Sequence, residues 1–142
     1  MIVQDIYLPD YDWHCKVYYS VTCYWVEDIL NELQRIGCSG KNYRKAKKNL
    51  ETGDLNTGLT YSNSRRGESV MVIAKTSSPD EFADSYDHEK GHLAKHIALA
   101  NYINPYGEEF PYMSGDISKK MFPVAKMFRC ECCRTKLYKG LL

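Results

Sequence analysis

The stretch that decides the fold runs from residue 78 to residue 100, S-P-D-E-F-A-D-S-Y-D-H-E-K-G-H-L-A-K-H-I-A-L-A. Ser78, then Pro79, then Glu81 mark a helix start. Serine caps the helix, proline sits where its missing N–H costs nothing, and the glutamate completes a capping box. Beyond it Phe82, Tyr86, Leu93, Ile97 and Ala100 gather on one side of a helical wheel, which predicts an amphipathic helix with that stripe turned to the core. At about 100° and 1.5 Å per residue, His88 and His92 stand one turn apart beside the stripe, so both imidazoles reach one ion. Zinc takes imidazole nitrogen at about 2.0–2.1 Å, and a catalytic site adds a third protein ligand and keeps one position for water. Glu89, roughly 100° around the axis from His88, is the candidate general base for that water as it attacks a carbonyl.

Working outward from the helix, 59–62 and 69–75 are rich in strand formers and flank the turn sequence S-N-S-R-R-G-E, which predicts a hairpin or meander. Trp13 to Thr22 predicts another strand, entered through the turn formers Pro9, Asp10 and Asp12. Trp25, Ile29, Leu30, Leu33 and Ile36 then predict an amphipathic helix closed by Gly37. Lys41 to Leu50 predicts a short helix carrying Lys41, Arg44, Lys45, Lys47 and Lys48 on a solvated surface. After Asn104, Pro105 and Gly107, a last helix is expected from about Glu108 toward Phe122, interrupted at Pro123.

With 142 residues, 44% apolar and 26% charged, the chain has ordinary globular composition, and residues 1–128 are expected to form one domain followed by a cysteine-rich tail, 129–142. The 19 basic and 18 acidic residues leave a charge of +1, so no chain-wide field points to nucleic acid or an anionic membrane. The basic helix lacks the interleaved aromatics that stack on bases, and nucleic acid is not an expected partner. No apolar run approaches the roughly 20 residues of a membrane-spanning helix. No basic-then-apolar leader pattern opens the chain, and the expectation is a soluble cytoplasmic protein with reduced cysteines.

The third ligand is sought downstream. Residue 98 is alanine, so the histidine that a metzincin places six residues after the motif is missing. Gly107-Glu108-Glu109-Phe110-Pro111-Tyr112 supplies two carboxylates instead. Here the chain resembles the gluzincins, in particular the compact minigluzincin-like metallopeptidases encoded by bacteria and phages. In these, H-E-x-x-H is followed by a helix opening on a glutamate, then two residues, a small residue and a polar or aromatic one. The resemblance covers about half the chain and implies a small α+β zincin-like domain: a short mixed sheet, an H-E-x-x-H helix and a following helix that carries a glutamate ligand. By that match Glu108 joins His88 and His92 on zinc, with Glu109 as the fallback. The strand near residues 69–75 edges the cleft and pairs with a peptide or protein substrate, and the reaction is peptide-bond hydrolysis with Glu89 as base. Pro111 departs from the usual alanine-like residue. Geometry adds a condition: Glu108 returns to the metal only if the motif helix stops near Leu99, leaving residues 101–107 to span up to about 23 Å.

His96, one more turn along, is a weaker ligand candidate, and Tyr61, Arg65 and Tyr112 are candidate oxyanion donors. Cys130-Glu131-Cys132-Cys133 holds a C-x-x-C pair that, with Cys15, Cys23 or Cys38, is a candidate second zinc site. Alternatively, a tail thiolate is a candidate to block the first site. The competing functional expectation is a non-catalytic zinc-binding interaction protein of a phage or mobile element.

Overall fold

Strand formers alternate along Trp13–Val21 so that Trp13, Cys15, Val17 and Tyr19 face one way and Tyr18 the other, and both sets are buried. A strand buried on both faces needs helices above and below it. The computed structural model describes residues 2–22 and 25–141, with side chains to residue 137, and supplies both layers. Cys23 lies outside the described residues.

The sheet is built from two hairpins. β1 (Ile2–Leu8), which the sequence reading does not anticipate, pairs antiparallel with β2 (Trp13–Val21) from Leu8↔Trp13 to Ile2↔Tyr19. The Pro9–Tyr11 turn and Asp12, at φ 47°, join them. β3 (Gly58–Asn63) and β4 (Glu68–Ala74) form the second, as expected. β2 and β4 then pair in parallel, His14 opposite Glu68, giving the order β1-β2-β4-β3. The chain is thus α+β, with five α-helices and a four-stranded mixed sheet among the described residues. One expectation is corrected: the strand at residues 69–75, expected to edge the cleft and pair with a substrate, has no free side for that pairing. Val70 to Ile73 are wholly buried, and β4 is flanked by β2 on one side and β3 on the other. The edges belong to β1 and β3.

Helices α1 (Val26–Arg35) and α2 (Gly40–Thr52) cover the face carrying Tyr18, Val70 and Val72, packing Ile29, Leu33, Ile36 and Leu50 against it. Ser20, at φ 58° where the β2–β4 register shifts, turns Val21 to this face instead of the one Tyr19 occupies. Gly37 closes α1 at φ 97°, with the Cys38 N–H donating to Leu33 O over 2.9 Å. The five basic side chains of α2 are exposed, as a solvated face requires.

Helices α3 (Pro79–Ala100) and α4 (Glu109–Ala125) cover the other face, where Phe82, Leu93, Ile97, Met113, Ile117 and Met121 meet the β2 and β4 side chains. Pro123 does not interrupt α4, contrary to expectation. It lies on the exposed side, where water can satisfy the carbonyl its missing N–H leaves, while Ala125 beyond it is buried. A further turn, Lys126–Phe128, stacks Phe128 between Phe82 and Tyr19. The cysteine-rich segment then forms α5 (Glu131–Leu141), tied back by the Arg134 guanidinium to Thr76 O at 3.3 Å and Ser77 O at 2.6 Å. No helix among the described residues is long and apolar enough to cross a membrane.

Candidate metal centre on helix α3

The caps of α3 set where its side chains point. Ser78 Oγ accepts the Glu81 N–H over 3.4 Å, as a capping box requires, but Glu81 reaches one residue further back than expected. Its Oε2 accepts the Ser77 N–H at 2.8 Å and the Ser77 hydroxyl at 2.6 Å, and these bonds hold the Glu81 carboxyl below the usual carboxylate pKa. At the other end the Asn101 N–H donates to Ile97 O and the Ile103 N–H to Ala98 O, with Tyr102 at φ 57° between them. This is a Schellman closure, and the buried Ile103 supplies its apolar contact. The helix therefore ends at Ala100, within a residue of the length the third-ligand condition demands.

On the exposed flank of α3, His88 Nε2 lies 3.2 Å from His92 Nε2, with the two rings 78° apart in plane. The sequence places both imidazoles at one point, and the structure does so. Tetrahedral zinc with nitrogens at about 2.0–2.1 Å sets two ligand atoms about 3.3 Å apart, so this pair fits two vertices of a zinc site.

Glu89 points elsewhere. It is 1% exposed, and its two oxygens are held from the sheet, Oε2 by the Thr57 hydroxyl at 2.8 Å and Oε1 by the Thr60 hydroxyl at 2.9 Å. Gly58 makes that approach possible. A Cβ there would sit 3.2 Å from Glu89 Cγ and 1.9 Å from Val72 O, at a φ of 146° that side chains rarely adopt.

No protein-family model matches the chain, and no curated protein or solved structure does.

Among the described residues no three histidines, cysteines or acids stand together as a metal site, so Glu108 is not brought to the His88–His92 pair. The helix stops where it should, but α4 packs on another side of it. Lys90, about 200° around the axis from His88, donates to Ser118 Oγ over 2.8 Å. Glu108 is the exposed residue before α4, and Glu109 Oε1 accepts the Tyr11 hydroxyl at 3.3 Å. The tail cysteines join no such group either: Cys15 and Cys38 are buried on opposite faces of the sheet, and Cys130, just before α5, and Cys132 and Cys133, on it, are exposed. Of the candidate oxyanion donors, Tyr61 donates to Gly37 O at 3.4 Å, Arg65 is exposed in the hairpin turn, and Tyr112 is 75% exposed.

His96 is held by a polar chain that the sequence reading missed. Its Nδ1 lies 2.6 Å from Ser62 Oγ, which lies 2.6 Å from Ser69 Oγ, which accepts the indole N–H of Trp13 at 2.8 Å. The chain crosses the sheet from β2 through β4 to β3 and ends on α3. Burial, with His92 beside it, holds the His96 pKa below the ordinary histidine value. The available signal was the alternation in G-L-T-Y-S-N: Leu59 and Tyr61 face the α1–α2 core, so Gly58, Thr60 and Ser62 present a small polar face to α3. A polar face half-buried under a helix needs polar partners, and Glu89 and His96 are those partners.

Proposed function

We propose that the chain is a zinc-dependent peptidase whose metal is held by His88 and His92. The observation that carries the reading is the 3.2 Å between their Nε2 atoms, set by the helix and ready for one ion. Zinc bound there supplies a Lewis acid that polarises a substrate carbonyl. Glu89 is the proton acceptor in this reading, and to serve it must exchange a threonine hydroxyl for the reacting water. β3 is a terminal strand of the sheet and the one bonded to Glu89 of the motif helix, so its outer edge offers backbone groups to an extended peptide or protein substrate. Glu108 completes the metal site in this reading only if the first turn of α4 moves to the pair. The cytoplasmic location and the zincin-like assignment of the fold belong to the same proposal, the latter supported by the H-E-K-G-H motif.

The engagement of both Glu89 oxygens favours a second reading, a non-catalytic zinc-binding interaction protein in which Glu89 serves to dock α3 on β3. One experiment separates the two. Metal content and cleavage of a peptide library are measured for the wild type, Glu89→Gln and His92→Ala. The peptidase reading expects cleavage by the wild type alone, with zinc kept in Glu89→Gln and lost in His92→Ala. Zinc binding without cleavage by any of the three overturns it in favour of the second reading, and no zinc in the wild type overturns both.

A further inference from the structure

Glu131, Cys132 and Cys133 open helix α5 with Cys130 just before it, and the described structure gives the two outer cysteines different tasks from the middle one. Cys130 stands immediately before the helix, and its Sγ accepts the backbone N–H of Cys133 over 3.2 Å. The Cys133 side chain interacts electrostatically with the same sulfur. Residues three apart at a helix start have Cα atoms about 5 Å apart, inside the window of roughly 4.4–6.8 Å that a disulfide spans. The pair can therefore be bridged without unwinding the turn. Cys132 is about 200° around the axis from Cys130 and takes no part in this contact. All three thiols are exposed, whereas Cys15 and Cys38 are buried, with pKa values pushed up by burial.

We infer that Cys130 and Cys133 form a redox-active dithiol, with Cys130 as the attacking thiolate and Cys133 as the resolving thiol, reacting with low-molecular-weight disulfides. The interaction with the Cys133 side chain, joined by the backbone amides at the helix start, holds the Cys130 thiol below its ordinary value, and the same interaction raises Cys133. The Cys130 thiolate attacks one sulfur of R–S–S–R, forming a mixed disulfide and releasing one thiolate. Cys133 then loses its proton and attacks the Cys130 sulfur, which releases the second R–S⁻ and closes the Cys130–Cys133 bond. The small disulfide gains two electrons and two protons to become two thiols, and the protein dithiol is oxidised by the same two electrons. Arg134, next in sequence, fixes this turn to the Thr76 and Ser77 carbonyls, so the dithiol is presented on an anchored helix rather than a free tail.

The test treats the full-length chain with oxidised glutathione, blocks residual thiols with N-ethylmaleimide, and weighs the tryptic peptide Cys130–Arg134. The wild type and Cys132→Ser are expected to lose two thiols in this peptide as an internal disulfide. Cys133→Ser is expected to stop at a glutathione adduct on Cys130. Cys130→Ser, which keeps a capping oxygen for the helix, is expected to lose the fast reaction. Adducts spread evenly over the three cysteines, closure that depends on Cys132, or three unreacted thiols would each overturn the inference.

Discussion

Thr60 holds Glu89 from the edge strand: its hydroxyl donates to Oε1 over 2.9 Å, while Thr57 holds Oε2 at 2.8 Å. The acid of the motif is therefore also the polar rivet between α3 and β3. Thr60→Val removes one donor from a buried carboxylate, and leaving such an acceptor short costs about 1–3 kcal/mol. Urea unfolding is expected to show a loss of that size, with a smaller one for Thr60→Ser, which keeps the hydroxyl.

If His88 and His92 converge on zinc, the metal stabilises the folded chain. A ligand at about 100 times its Kd adds roughly 2.7 kcal/mol. Zinc is expected to raise the thermal midpoint of the wild type, and neither His88→Ala nor His92→Ala is expected to respond. Under the peptidase reading Glu108→Ala weakens zinc binding by at least about tenfold, since even partners outside the coordination shell contribute that much. Calorimetric titration showing unchanged affinity in Glu108→Ala would leave the pair without its carboxylate and remove the gluzincin ligand set.

Gly58→Ala drives a methyl into Val72 O at 1.9 Å and toward Glu89, on a backbone that only glycine adopts comfortably. Both the strand pairing and the seat of the motif helix suffer. The expected cost is roughly 3 kcal/mol or more, read as a collapse of the denaturation midpoint or as failure to accumulate folded protein.

Glu81 supplies a pH signature. Its folded pKa lies below the unfolded value because Ser77 donates twice to the carboxylate. Its contribution is therefore complete above the unfolded pKa and is lost as pH falls through the folded one. The stability difference between wild type and Glu81→Gln is expected to shrink on acidification from neutral pH, as followed by urea midpoints. Ser78→Ala is expected to cost about 0.5–2 kcal/mol, toward the lower end because the cap bond is long.

Much of this was legible in the sequence because local chemistry enforces it. Ser78, Pro79 and Gly37 mark helix ends by their own backbone preferences, and the i, i+4 spacing alone brings His88 to His92. Non-local facts were harder to read. β1 shows little apolar alternation: Val3 and Tyr7 are 43% and 40% exposed, and only Ile6 and Leu8 are buried. The position of Glu108 depended on which side of α3 the last helix chose, a matter settled by Met113, Ile117 and Met121 packing across the sheet rather than by loop length. The polar ladder from Trp13 to His96 joins residues 13, 62, 69 and 96, and no spacing rule links them.

The parallel seam between β2 and β4 carries a kinetic consequence. Each hairpin closes within a short stretch of chain, but the seam pairs His14 with Glu68, across the whole of α1 and α2. Closing so long a loop costs entropy before any contact repays it. The two hairpins are thus expected to form early, and mutations in the β2–β4 seam are expected to slow refolding more than mutations in either turn, as stopped-flow kinetics would read. A growing chain cannot close that seam until β4 has left the ribosome, so the N-terminal hairpin must wait with Val17 and Tyr19 uncovered.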